Sequence, residues 1–160
     1  MKARVYIETT IPSYLMAWPS RDILRTAHQQ VTQEWWTRRS EFDLFISQQV
    51  VTECQDGDQV AAAERLAAIH DLKMLDLTPD VIALAEALVR EVPIPPKAAA
   101  DAVHIATASV HRVQYLLTWN CTHLANAVLR PKIEGVCRNA GFEPPIICTP
   151  QELPPPQEQT

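Results

Sequence analysis

The chain has 160 residues, a net charge of −5 and 47% hydrophobic residues, which fits one soluble domain large enough to bury a core without staples. Its only glycines, Gly57, Gly135 and Gly141, are spaced for neither a G-x-G-x-x-G turn nor a Walker-type loop, which excludes a glycine-rich nucleotide site. Net acidity argues at first against a nucleic-acid partner, but positions 97–141 carry five basic and two acidic side chains, so a local basic surface is compatible with the acidic whole.

Residues 2–7 alternate and are β-prone, predicting a buried first strand that ends at Glu8. Pro12 is expected to end or redirect the segment after Glu8. Residues 23–36 place Ile23, Leu24, Ala27, Val31 and Trp35 at helical spacing, predicting an amphipathic helix; either Trp35 or Trp36, not both, should face inward. A strand over 42–47 leads into a helix over 48–54, closed by the turn signal Asp56-Gly57-Asp58. A helix over 59–70 and a strand over 73–77 come next. Thr78-Pro79-Asp80 supplies a cap and an early proline for a helix that runs to about Arg90. Pro93, Pro95 and Pro96 make a stiff connection to a helix over 98–111 and a strand over 114–118. Helical segments at 122–128 and 131–140 are expected, the second ending at Gly141, and then an edge strand over 146–148. Four prolines within 150–160 predict a disordered tail after a domain spanning 1–149.

No apolar run reaches the length of a membrane span, and the opening residues are too short for a signal peptide, so a cytoplasmic location is expected. Cys54, Cys121, Cys137 and Cys148 form no C-x-x-C pair and are expected to be reduced and buried. Cys121, His123 and Cys137 match no structural zinc spacing.

Strands alternating with helices predict a three-layer α/β/α sandwich around a parallel sheet, and ligands of such sheets collect at the carboxyl ends of the strands. Those places hold Glu8, Glu53, Asp101, Thr118 and Asn120. Carboxylates that converge repel one another unless a cation neutralises them, and oxygen ligands suit Mg²⁺ or Mn²⁺. Such an ion can activate water and stabilise charge on a phosphate. Each residue also has a structural reading. Glu8 suits an edge acid paired with an arginine, Glu53 a solvated helix residue, and Asp101 an acid favoured by the helix dipole. His104, one turn beyond Asp101 on the same face, suits a structural hydrogen-bonder, and Asn120 a turn residue.

The segment Val5-Tyr6-Ile7-Glu8-Thr9-Thr10-Ile11-Pro12-Ser13-Tyr14 resembles the opening of PIN-domain proteins, in which a hydrophobic strand delivers a first acid followed by small hydroxyl residues. Asp101-Ala102-Val103-His104-Ile105-Ala106-Thr107-Ala108 is similar to that family's D-x-x-H-x-A-x-A helix. Leu116-Leu117-Thr118-Trp119-Asn120 resembles the strand and turn of its fourth acidic position, and Val51-Thr52-Glu53 the site of its second acid. The resemblance covers about 1–149. It implies a PIN-like fold and a Mg²⁺- or Mn²⁺-dependent endoribonuclease, most often the VapC-type toxin of a toxin–antitoxin pair. RNA as substrate, an antitoxin partner and a homodimer come with it, the helix over 23–36 being a candidate interface.

On that resemblance Glu8 and Asp101 ligate the metal, while Glu53 and Asn120 reach it through water. Thr118 and His104 support the cluster, and Lys97, Arg112 or Arg130 hold the RNA backbone. Two positions depart from the pattern. Glu8 stands where the family usually has Asp, and Asn120 where it usually has a fourth acid, so the cleft carries three carboxylates. The departures leave a weakly active or inactive RNA- or protein-binding module of the same fold as the alternative. Less favoured are another metal-dependent hydrolase and an interaction protein with Tyr14, Trp18, Trp35 and Trp36 as its surface.

Overall fold

The computed structural model describes residues 1–154, except for the side chain of Lys97. Five strands form one parallel sheet: β1 (Arg4–Ile7), β2 (Asp43–Ser47), β3 (Lys73–Leu75), β4 (Tyr115–Leu117) and β5 (Ile146–Cys148), in the order β3-β2-β1-β4-β5. Tyr6 pairs with Phe45 on one side and with Leu116 on the other. Central parallel strands are covered on both faces, which is why Val5, Tyr6, Ile7, Leu116 and Leu117 are all completely buried. The two edge strands are only three residues long, which limits the unpaired backbone they offer to another chain.

Seven helices connect the strands among the described residues: α1 (Thr10–Met16), α2 (Ile23–Thr37), α3 (Gln48–Cys54), α4 (Gln59–Ile69), α5 (Pro79–Glu91), α6 (Ala99–Val110) and α7 (Arg130–Asn139). Right-handed crossovers put α1 to α4 on one face and α5 to α7 on the other. Accordingly α1 packs against both α2 and α4, and α5 against both α6 and α7. Local chemistry sets the starts. The Asp22 carboxylate accepts from Arg25 N–H at 2.9 Å to cap α2, and Asp58 caps α4 from Ala61 N–H at the same distance. Thr78 caps α5, where Pro79 occupies the first turn, a place in which its missing N–H costs nothing.

Three elements differ from the sequence reading. Pro12 does not break the chain after Glu8: it is the third residue of α1, where a backbone N–H has no helical partner to lose. The segment 122–128 is a series of turns, not a helix. Asn120 Oδ1 accepts from Thr122 and His123 N–H, and Asn126 Oδ1 from Val128 N–H, so the asparagine side chains take up amides that a helix needs. Finally, the stretch expected as a tail stays on the body at its start. Leu153 is buried and its carbonyl accepts from Trp35 Nε1 at 2.8 Å. The rest of that stretch, 155–160, lies outside the described residues.

Trp35 faces inward and stacks on Phe42, while Trp36 is only partly covered. Cys54, Cys137 and Cys148 are buried, but Cys121 is exposed. No described helix is long and apolar enough to cross a membrane.

Candidate active site

From β1 the chain builds β2 and β3 towards one edge, then returns past β1 to lay down β4 and β5 towards the other. At this reversal the connections after β1 and β4 part in opposite directions and leave a crevice at the carboxyl ends of the two strands. Glu8 follows β1 directly, and Thr118, Trp119 and Asn120 follow β4 directly. The Glu8 N–H donates to the Leu117 carbonyl at 3.1 Å, so the ladder carries the first acid to the lip of the crevice.

The Glu8 carboxylate is 3% exposed. Its Oε1 accepts from Thr10 N–H at 2.8 Å and its Oε2 from the Thr118 hydroxyl at 3.1 Å. Thr10 Oγ1 in turn accepts from Trp119 N–H at 2.8 Å, tying the start of α1 to the turn after β4. Burial raises the Glu8 pKa above the ordinary carboxylate range. A charge on His104 and the bonds from Thr10 oppose this without cancelling it, and the charge of Glu53 adds to it.

Glu53 enters from α3, which starts where β2 ends. Its Oε1 accepts from His104 Nε2 at 2.6 Å and from the Thr9 hydroxyl at 2.7 Å. Burial alone would raise its pKa, but the hydrogen bond from His104, a charge on that ring and the Thr9 hydroxyl outweigh it and hold Glu53 below the usual range. Asp101 lies in the first turn of α6, where the helix dipole favours a carboxylate. His123 Nδ1 is 3.2 Å from its Oδ2. Burial raises the Asp101 pKa; His104, His123 and the Asn120 amide reduce the shift, and Glu53 adds to it.

The fold therefore gathers Glu8, Glu53, Asp101, Thr118 and Asn120 at one rim, around the buried ring of His104, where a charge on the ring would bear on all three carboxylates. Of the basic residues expected to hold RNA, one lies away from this rim. Arg112 sits before β4, at the opposite end of the sheet from the acids, in the left-handed region at φ 57°. Arg130 turns a guanidinium N–H to the Ile147 carbonyl at 3.2 Å, on the edge strand. The Lys97 side chain lies outside the described residues.

Sequence reasoning passed over Tyr6 and Ser47. Both are fully buried, and the Tyr6 hydroxyl lies 2.7 Å from His104 Nδ1 and 2.8 Å from Ser47 Oγ. No period or spacing marks them, because a tyrosine in an apolar strand reads as core.

No protein-family model matches the chain, and no curated relative does. A solved structure of VapBC2 from Rickettsia felis, bound to a DNA fragment from its promoter, aligns with a TM-score of 0.58 at 13% identity, covering 91% of this chain and 97% of that one. The fold is PIN-like. At that identity the PIN-like frame is what the two chains share, and the rim described above belongs to this chain's own residues.

The donor types at the rim, carboxylate and amide oxygens, are those that a hard divalent ion takes. Among the described residues no group of three or more His, Cys, Asp or Glu side chains is placed to hold a metal ion. Both Glu8 oxygens are engaged by Thr10 and Thr118, and Glu53 Oε1 by His104 and Thr9. Glu8 and Asp101, the metal ligands that the resemblance implies, thus share one rim without a third such donor grouped with them.

Proposed function

We propose that this chain is a PIN-like nuclease of the toxin kind that cuts RNA at the rim formed by Glu8, Glu53, Asp101 and Asn120. One observation carries the reading. Carboxylates 45 and 48 residues apart in sequence meet at the topological switch point of a parallel sheet, held by hydrogen bonds to Thr9, Thr10, Thr118 and His104. The likeness to VapBC2 from Rickettsia felis supports the toxin part of the reading and, with it, an antitoxin partner. A homodimer belongs to the same proposal, and Trp18, Ile23 and Leu24, all exposed around the start of α2, give apolar area for either contact.

In this reading the residues divide the work by environment. Glu53, held ionised, accepts a proton from an attacking water. Asp101 and Asn120 orient that water and the phosphodiester. His123, beside Asp101, supplies positive charge at the cleft when protonated, and Thr118 and Thr10 hold Glu8 in place. If the reaction needs Mg²⁺ or Mn²⁺, Asp101 and the Glu53 Oε2 left outside the bonds to His104 and Thr9 would hold the ion, with Glu8 tied to Thr10 and Thr118. The test is incubation of the purified chain with end-labelled single-stranded RNA in EDTA, Mg²⁺ and Mn²⁺ in parallel. Discrete fragments in at least one condition are expected, and intact RNA in all three removes the nuclease reading.

A second reading is favoured by the double engagement of Glu8 and by the uncharged Asn120. It is an RNA- or protein-binding module of the same fold without catalysis. Retention of the labelled RNA without cleavage would select it.

A further inference from the structure

Ser47 closes β2 and Tyr6 lies in β1, and their side chains meet beneath the carboxylate rim. Ser47 Oγ is 2.8 Å from the Tyr6 hydroxyl, that hydroxyl is 2.7 Å from His104 Nδ1, and His104 Nε2 is 2.6 Å from Glu53 Oε1. Ser47 and Tyr6 are completely buried and His104 is 1% exposed, so bulk solvent does not reach these groups. Tyr6 stays a phenol because burial pushes its ionisation far above the ordinary range.

Counting hydrogens settles the direction of the chain. A serine or tyrosine hydroxyl has one hydrogen to give, and a neutral imidazole has one N–H. If His104 carried hydrogen on Nδ1, that N–H would donate to the Tyr6 oxygen and the Tyr6 hydroxyl would donate to Ser47. The Ser47 hydrogen would then be buried with no acceptor, since Tyr6 is its one hydrogen-bond partner among the described residues. An unmade bond at a buried hydroxyl is the costly case. The same orphan arises whether the ring is cationic or is neutral with its hydrogen on Nδ1. Run the other way, Ser47 donates to Tyr6, Tyr6 donates to a bare Nδ1, and the ring's single hydrogen lies on Nε2, aimed at Glu53. Every hydrogen is then used.

We propose that Ser47, Tyr6 and His104 form a one-way hydrogen-bond chain that fixes His104 as the neutral Nε2–H tautomer and delivers that N–H to Glu53, making Ser47 and Tyr6 positioning residues for the carboxylate. The Thr9 hydroxyl binds the same oxygen. Glu53 Oε2 is therefore left as the acceptor for water or substrate. The positioning role rests on the nuclease reading above; the tautomer does not.

The test is ¹⁵N nuclear magnetic resonance of the imidazoles in the full chain, with the His104 signals assigned by their loss in His104→Asn. The wild-type chain should show His104 at neutral pH with a bare Nδ1 and a protonated Nε2. Tyr6→Phe should move the Nδ1 resonance strongly and Ser47→Ala more weakly. A cationic ring, or one protonated on Nδ1, in the wild type overturns the proposal and needs no variant to fold. In the RNA assay, Tyr6→Phe should lower kcat by about ten- to a hundredfold with KM unchanged, the scale of a slightly misplaced catalytic group. Wild-type kcat in that variant overturns the positioning role. The expected tautomer in a wild-type chain that cuts no RNA would sink the nuclease reading and leave the hydrogen-bond chain standing.

Discussion

His104 Nε2 lies 2.6 Å from Glu53 Oε1 across 51 residues of sequence. That contact joins the two faces of the sheet, since Glu53 rides on α3 and His104 on α6. It also places the ring where its charge state bears on every carboxylate of the rim.

Glu8 should cost the fold stability at neutral pH. Its folded pKa is raised, chiefly by burial, so folding favours the protonated form. That favour is complete below the unfolded pKa and is lost as pH rises through the folded value. Glu8→Gln keeps an acceptor for Thr10 N–H and removes the buried charge. It should raise Tm at pH 7 by a few degrees, since about 1 kcal/mol moves Tm by roughly 2–4 °C in a chain of this size. The gain should shrink as pH falls towards about 4, where wild-type Glu8 is itself protonated. Thermal unfolding of both proteins across pH checks this. A Tm that falls at pH 7 contradicts it.

Metal affinity in the absence of RNA should be weak. Both Glu8 oxygens are already engaged, and no group of three donors awaits an ion among the described residues. Calorimetric titration with Mn²⁺ should give a Kd on the order of 1 mM, the range of weak oxygen-ligand sites. Micromolar binding would show that the rim rearranges cheaply.

The first residues of the Pro-rich segment should contribute to stability. Leu153 is buried and its carbonyl satisfies Trp35 Nε1. Leu153→Ala should cost about 2 kcal/mol or more from lost burial and the cavity left behind, lowering Tm by roughly 4–8 °C. Truncation after Thr149 should cost more, because the Trp35 donor then loses its partner as well. Equal Tm values for the full and shortened chains would contradict this.

The sheet was legible because its strands are short apolar runs between strong turn signals, β-branched and aromatic at Val5-Tyr6-Ile7 and aliphatic at Leu116-Leu117. Acids at strand ends were legible for the same reason: a parallel sheet brings the residues at the carboxyl ends of its strands to one rim. The misses have local causes. Pro12 reads as a breaker only until its position in the first turn of α1 is known. The alanine and leucine around Asn120 and Asn126 suggest a helix until those side chains claim the amides. Tyr6 and Ser47 were invisible because their role is a three-dimensional meeting of two strands with α6. Leu153 was hidden among prolines, whose composition says nothing about one apolar side chain finding Trp35.

The most direct measurement is cleavage of single-stranded RNA by the wild-type chain and by Asp101→Asn, with circular dichroism and Tm recorded on the same samples. Asp101→Asn keeps the shape of the side chain and removes its charge. Loss of cleavage by at least about a hundredfold, the usual scale for removing one catalytic group, with an unchanged fold, is the result that the carboxylate rim requires. Cleavage at the wild-type rate by a correctly folded Asp101→Asn would contradict it.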